Sequence, residues 1–132
     1  MTRLLLDTTF LVDADRGEAA VDEVIEDDDD VAIAAITVAE LRVGVLLSRG
    51  KRREAREVFL DGVLATIPVL DYGMAVATAH AELLVDVRRR GEPRGAHDLV
   101  IAATALATGR VVVTADMAAF AHLPGVDVRG HD

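Results

Sequence analysis

Four acidic residues, Asp7, Glu40, Asp98 and Asp116, stand where short apolar runs end or helical segments begin. In a parallel α/β fold the carboxyl ends of the strands line one crevice, so acids far apart in sequence meet there. At about 5 Å and an effective dielectric near 20, each carboxylate pair repels by roughly 3 kcal/mol. A divalent cation relieves that repulsion better than protonation or water does. The order of the acids thus points to an α/β chain with its strand ends gathered on one edge, and to a metal-dependent enzyme.

Composition agrees with this architecture. The 132 residues suit one domain, spanning 1–132, with enough chain to bury a core. Hydrophobic residues make up 52% and aromatics only 3%, so Ala, Val, Leu and Ile must fill the core, as in a sheet covered by helices. The absence of Cys excludes disulfides, a thiolate nucleophile and Cys-ligated zinc, leaving oxygen or imidazole for any metal. The apolar runs at Leu4 to Leu6 and Leu99 to Leu106 are too short for a signal peptide or a membrane span, so a soluble cytoplasmic protein without membrane contact is expected. A net charge of −9 opposes nucleic-acid binding overall, yet the bases cluster at Lys51, Arg52, Arg53 and Arg56 and at Arg88, Arg89, Arg90 and Arg94.

Periodicity predicts strands at Arg3 to Leu6, Val31 to Ala34, Thr66 to Leu70 and Arg110 to Val113, with Pro68 marking the third as an edge strand. A short helix through Val12 and another over Glu18 to Glu26 connect the first two, and the acidic run Asp27 to Asp30 breaks the second helix. Thr37 to Leu47 is apolar nearly all round, which predicts a largely buried helix. Lys51 to Leu60 is a charged amphipathic helix. A long helix from about Tyr72, capped by Asp71, ends at three arginines and Gly91, and another runs from about His97 to Thr108 before Gly109. A short helix follows Asp116, then a last apolar stretch at Val126 to Val128.

Each acid has an ordinary structural reading. Asp7 suits an Asx turn or a cap. Thr37-Val38-Ala39-Glu40 fits a capping box, although Glu40 leaves a surface of Ile36, Val43 and Gly44. Asp98 in a first helical turn gains about 0.3 to 1 kcal/mol from the dipole, and Asp116 suits an N-cap. None of these explains why all four junctions on one edge carry acid. Thr8 and Thr114 lie beside two of the acids, where their hydroxyls serve either to orient a carboxylate or to cap a helix. His97 reads as a surface or supporting residue and His80 as core packing, while His122 and His131 carry no pattern. Arg42, on a helix poor in polar residues, requires a carboxylate partner. The stretch from Arg52 to Glu57 is either a solvated face with ion pairs or a track for phosphates.

With these residues in place, the chain resembles the PIN-domain nucleases, and within them the ribonuclease toxins of VapBC toxin-antitoxin pairs. Leu4-Leu5-Leu6-Asp7-Thr8-Thr9 is similar to the family's first strand and its Asp-Thr/Ser motif, and Thr37-Val38-Ala39-Glu40-Leu41 to its Glu-bearing helix start. The segment from Asp98 to Ala105 resembles the third motif, and Val113-Thr114-Ala115-Asp116 with Phe120 the fourth. Departures are Arg94, where an apolar residue is commoner, and the alanines after Asp116, where charge is common.

The resemblance implies a PIN-like α/β/α sandwich with a central parallel sheet, a Mg²⁺ or Mn²⁺ site, RNA cleavage, inhibition by a small antitoxin, and a homodimer. It carries metal-site roles onto Asp7, Glu40, Asp98 and Asp116, with Thr114 as a supporting hydroxyl. In the mechanism this implies, Asp7, Asp98 and Asp116 hold one or two hard cations. Glu40 orients or deprotonates a water for in-line attack, leaving 5′-phosphate and 3′-hydroxyl ends. A haloacid-dehalogenase phosphatase would need a second Asp where Thr9 stands, and a receiver domain would need an acid pair near the first strand. The remaining alternative is a PIN-like module that binds RNA or a partner without cutting.

Overall fold

The computed structural model describes residues 1–131. Five parallel strands form the sheet: β1 (Arg3–Leu6), β2 (Asp30–Ala34), β3 (Val69–Leu70), β4 (Val111–Val113) and β5 (Val128–Arg129), in the spatial order β3-β2-β1-β4-β5. The chain steps outward from β1 to β3, crosses back, and continues from β4 to β5 on the other side. That reversal between β1 and β4 is a topological switch point, where the loops at the strand carboxyl ends part and leave a crevice. Arg110 secures the opposite end of the sheet: its Nη1 donates to Leu4 O at 3.2 Å, Asp30 O at 2.8 Å and Asp30 Oδ1 at 3.1 Å.

Alternation along the strands fills two cores, one on each face. Leu5, Ala32 and Val112 pack with Leu83 and Val87 of α5 (Met74–Arg90) and with Leu99, Ala102 and Ala103 of α6 (Ala96–Thr108). Leu4, Leu6, Ile33 and Val113 pack on the other face with Phe10 and Leu11 of α1 (Thr8–Asp15) and Val63 of α4 (Gly50–Thr66). The result is an α/β/α sandwich. Small residues let α6 lie close to the sheet: Ala102 and Ala103 are fully buried.

Several local expectations need correction. The segment between α1 and β2 holds only a short helix, α2 (Val21–Val24), because Asp29 takes the amides of Glu26 and Thr2 at 2.9 Å each and folds the acidic run into a clasp. The third strand is two residues long, since α4 runs on to Thr66. Helix α5 begins at Met74 with Gly73 as its N-cap and no side-chain cap; Asp71 instead accepts the Gly73 amide through its backbone carbonyl at 3.1 Å. Gly91 and Gly109 end α5 and α6 in the left-handed conformation, φ 64° at each, as expected of glycine after a helix.

The expectation for α3 (Ala35–Leu47) is also overturned. Its Thr37 and Val45 are buried, but Val43, Leu46 and Leu47 are exposed, Leu47 by 79%. These three lie at helical spacing on one stripe. A helix apolar all round is here covered on one side only. Arg42 makes no ion pair among the described residues, and His80 is half-buried with its Nδ1 2.8 Å from Tyr72 Oη, so neither has the role its neighbours suggest. No helix of the described residues is long and apolar enough to cross a membrane.

Candidate active site

Asp7 ends β1 at the switch point. It caps α1, its Oδ1 accepting the Thr8 amide at 2.8 Å, and it is 2% exposed. A carboxylate at such depth is tolerated only with strong donors. Thr9 Oγ1 and Thr114 Oγ1 supply them, each donating to Asp7 Oδ2 at 2.7 Å. The same two hydroxyls accept the amides of Ala115, at 3.1 Å, and Asp116, at 2.9 Å. The ends of β1 and β4 are thereby tied into one polar network, and Asp7 N donates to Val113 O at 2.8 Å.

Glu40 reaches this network from α3. Its Oε1 accepts Thr8 Oγ1 at 2.8 Å, Thr8 Oγ1 also lies 3.2 Å from Thr37 Oγ1, and Glu40 Oε2 lies 3.3 Å from His97 Nδ1. The capping-box reading fails, because the helix starts at Ala35 and Thr37 is already inside it, fully buried. Glu40 is therefore free of any capping task. Its partners lie on α1 and α6.

Asp98 occupies the first turn of α6. Burial raises its pKa above the ordinary carboxylate value, and the charges of Asp7, Glu40 and Asp116 raise it further, while His97 opposes the shift. The four acids named by the sequence thus share one electrostatic field. Asp116 is exposed and caps the short 3₁₀ turn Met117–Phe120, its Oδ1 accepting the Ala119 amide at 3.3 Å.

Among the described residues no group of three or more His, Cys, Asp or Glu side chains converges in ligating position. The acids act on one another through space without closing on one point. The donor set is nevertheless that of a hard cation: carboxylate oxygens, flanking hydroxyls and no thiolate. With Asp7 buried and its carboxylate fixed by Thr9 and Thr114, and Glu40, Asp98 and Asp116 near enough to act on one another, the residues fit a divalent ion.

The sequence gives no role to Thr9, the second hydroxyl on Asp7, and offers Thr37 only as a cap, whereas it meets Thr8 from inside the helix. Both lie within quoted motifs, but a hydroxyl's partner is set by tertiary contact. Arg90 and Arg94, which the sequence groups with Arg88 and Arg89 as a basic cluster, are engaged within the fold. Arg94 Nη2 donates to Ala121 O at 2.9 Å and Arg90 Nη2 to His122 O at 3.0 Å, so the loop before Asp98 and the end of α5 are both braced against the turn after Asp116.

The family model for the PIN domain matches residues 4–126. The chain belongs to the PIN domain family. This PIN domain is 32% identical over 98 residues to a tRNA(fMet)-specific endonuclease VapC of Salmonella typhimurium, covering 74% of this chain and 73% of that one. It is 36% identical over 125 residues to the plasmid stability protein StbB of Pseudomonas syringae, covering 89% and 90%. Among solved structures it superposes on DNA-bound VapBC from Salmonella typhimurium with a TM-score of 0.89 at 26% identity, covering each chain fully. VapBC2 from Rickettsia felis bound to a promoter DNA fragment gives 0.88 at 26% identity, covering 99% of this chain and 100% of that one.

Proposed function

We propose that this PIN domain, residues 1–132, is the ribonuclease toxin of a type II toxin-antitoxin pair, a cytoplasmic endonuclease that cuts RNA with Mg²⁺ or Mn²⁺. The observation that carries the reading is the gathering of Asp7, Glu40, Asp98 and Asp116 at the switch point, where burial and the three neighbouring carboxylates raise the Asp98 pKa. Relatives named as VapC ribonucleases support the substrate class.

Asp7, Asp98 and Asp116 are the residues that would hold the cation, with Glu40 beside them. A divalent ion held there would supply a lowered pKa for the attacking water and positive charge against the scissile phosphate. Thr9 and Thr114 fix the Asp7 carboxylate through its Oδ2, so that one oxygen edge is committed and its direction set. Glu40, aligned by Thr8 Oγ1 and His97 Nδ1, orients the water and takes its proton. Attack by water rather than by the 2′-hydroxyl leaves 5′-phosphate and 3′-hydroxyl ends.

A small antitoxin is the protein partner, as the VapBC complexes among the similar structures suggest. It inhibits by placing an Arg or Lys among the carboxylates. The exposed Val43, Leu46 and Leu47 of α3 offer apolar surface for a protein contact, with the antitoxin or with a second copy of this chain. The test is incubation of the purified protein with total RNA in Mg²⁺, Mn²⁺ or EDTA. Cutting is expected with either metal, and undiminished cutting in EDTA would overturn the reading.

A further inference from the structure

A cleft of about 430 Å³ opens beside Glu40, between α1, α3 and α4. Its apolar wall includes Leu41 and Phe59, and Arg16, Arg52 and Arg56 line it as well, with Asp15 the acid besides Glu40. Arg56 is already engaged, its Nη1 donating to Ser48 Oγ and to Gly44 O. Arg16 and Arg52 are exposed and make no ion pair among the described residues. The neighbouring Arg53 is not part of the cleft.

We infer that this cleft seats an unpaired nucleotide of the RNA strand next to the scissile phosphate, with Arg16 and Arg52 holding backbone phosphate and the apolar wall receiving the base. The inference rests on the ribonuclease reading. A strand entering a site of four carboxylates in a chain of net charge −9 is repelled except where cations line its path. Glu40 belongs to both the acidic site and the cleft, so the two are continuous. The volume falls within the range of small-ligand sites, and a cationic rim over an apolar, aromatic-bearing wall is the combination that holds single-stranded nucleic acid. Paired RNA keeps its bases stacked inside the helix and cannot offer one to such a wall.

The test is fluorescence anisotropy of a labelled, unstructured oligouridine against wild type, Arg16→Ala/Arg52→Ala and Arg53→Ala, with Ca²⁺ present and salt varied. Removing two phosphate contacts should weaken binding about tenfold and flatten the log–log salt slope by about 1.4. Arg53→Ala, whose charge lies off the cleft, should stay within about twofold of wild type. Equal affinity and slope for wild type and the double variant would overturn the cleft, as would a wild type that binds no oligouridine. Unchanged RNA binding with lost antitoxin binding would give the cleft to the antitoxin and also overturn it. Cleavage of total RNA by wild type, measured separately, tests the ribonuclease reading: RNA binding that depends on Arg16 and Arg52 without any cleavage would leave the cleft standing and remove the enzyme.

Discussion

Gly95 leaves open the space that the Asp98 carboxylate occupies: a Cβ on Gly95 would stand 2.8 Å from Asp98 Oδ2. The backbone there, φ −58° and ψ 139°, suits any residue. Its glycine is required by the neighbouring carboxylate and not by the chain's path. Gly95→Ala should therefore fold, since only the tip of one side chain must move, and should melt at or slightly above the wild-type temperature because the unfolded chain loses freedom. The displaced carboxylate should lower Mn²⁺ affinity and cleavage by about tenfold or more, as misplacement within a site does. Calorimetric Mn²⁺ titration beside a thermal melt checks both halves, and unchanged Mn²⁺ binding would show that the Asp98 direction does not matter.

Asp98→Asn should invert its effect with metal. In EDTA the substitution removes a charge that burial disfavours and that Asp7, Glu40 and Asp116 repel, so the variant should be as stable as wild type or more so. The raised pKa means that folded Asp98 holds its proton more tightly than the unfolded chain does. Metal-free wild type should then lose stability as pH rises from the ordinary carboxylate value, about 4, through the raised one, and the variant should show a flatter profile. With Mn²⁺ at a hundredfold excess over Kd, wild type should gain about 2.7 kcal/mol and the variant much less. Melts in EDTA and in Mn²⁺ decide: a variant that melts well below wild type in EDTA, with equal shifts in Mn²⁺, would make Asp98 a structural cap.

Thr114 and Thr9 hold the same oxygen of Asp7 but differ in setting. Thr114 is fully buried, whereas Thr9 is exposed. Thr114→Val should cost about 1–3 kcal/mol, the penalty for withdrawing a donor from a buried acceptor. Thr9→Val should cost clearly less, because water can replace its hydroxyl. Urea denaturation in EDTA measures both, and equal costs would show that the exposure of Thr9 does not let water stand in for its hydroxyl more readily than for that of Thr114.

Much of this arrangement was legible in the sequence. Leu4 to Asp7 and Val111 to Asp116 announce strands that end in acid, and Gly91 and Gly109 mark their helix ends. These are local signals, set by period and backbone chemistry. What escaped is tertiary. The stripe of Val43, Leu46 and Leu47 was read as buried because periodicity counts apolar residues without knowing how many neighbours will arrive. Arg90 and Arg94 group by sequence as a basic cluster, yet Arg90 is paired with Asp86 and Glu92, and the two guanidinium groups also reach the backbone carbonyls of His122 and Ala121 respectively. Thr37 reads as a cap in the sequence, yet α3 begins at Ala35, three residues earlier than the capping box allows.

The most direct test of the central claim is end-group analysis of RNA cut by the wild-type protein in Mn²⁺, with Asp7→Asn and Asp98→Asn as companions. Water activated in the carboxylate site should yield 5′-phosphate and 3′-hydroxyl ends, and each substitution should lower the rate by at least about a hundredfold. Products ending in 2′,3′-cyclic phosphate, or cleavage undiminished in both variants, would contradict it.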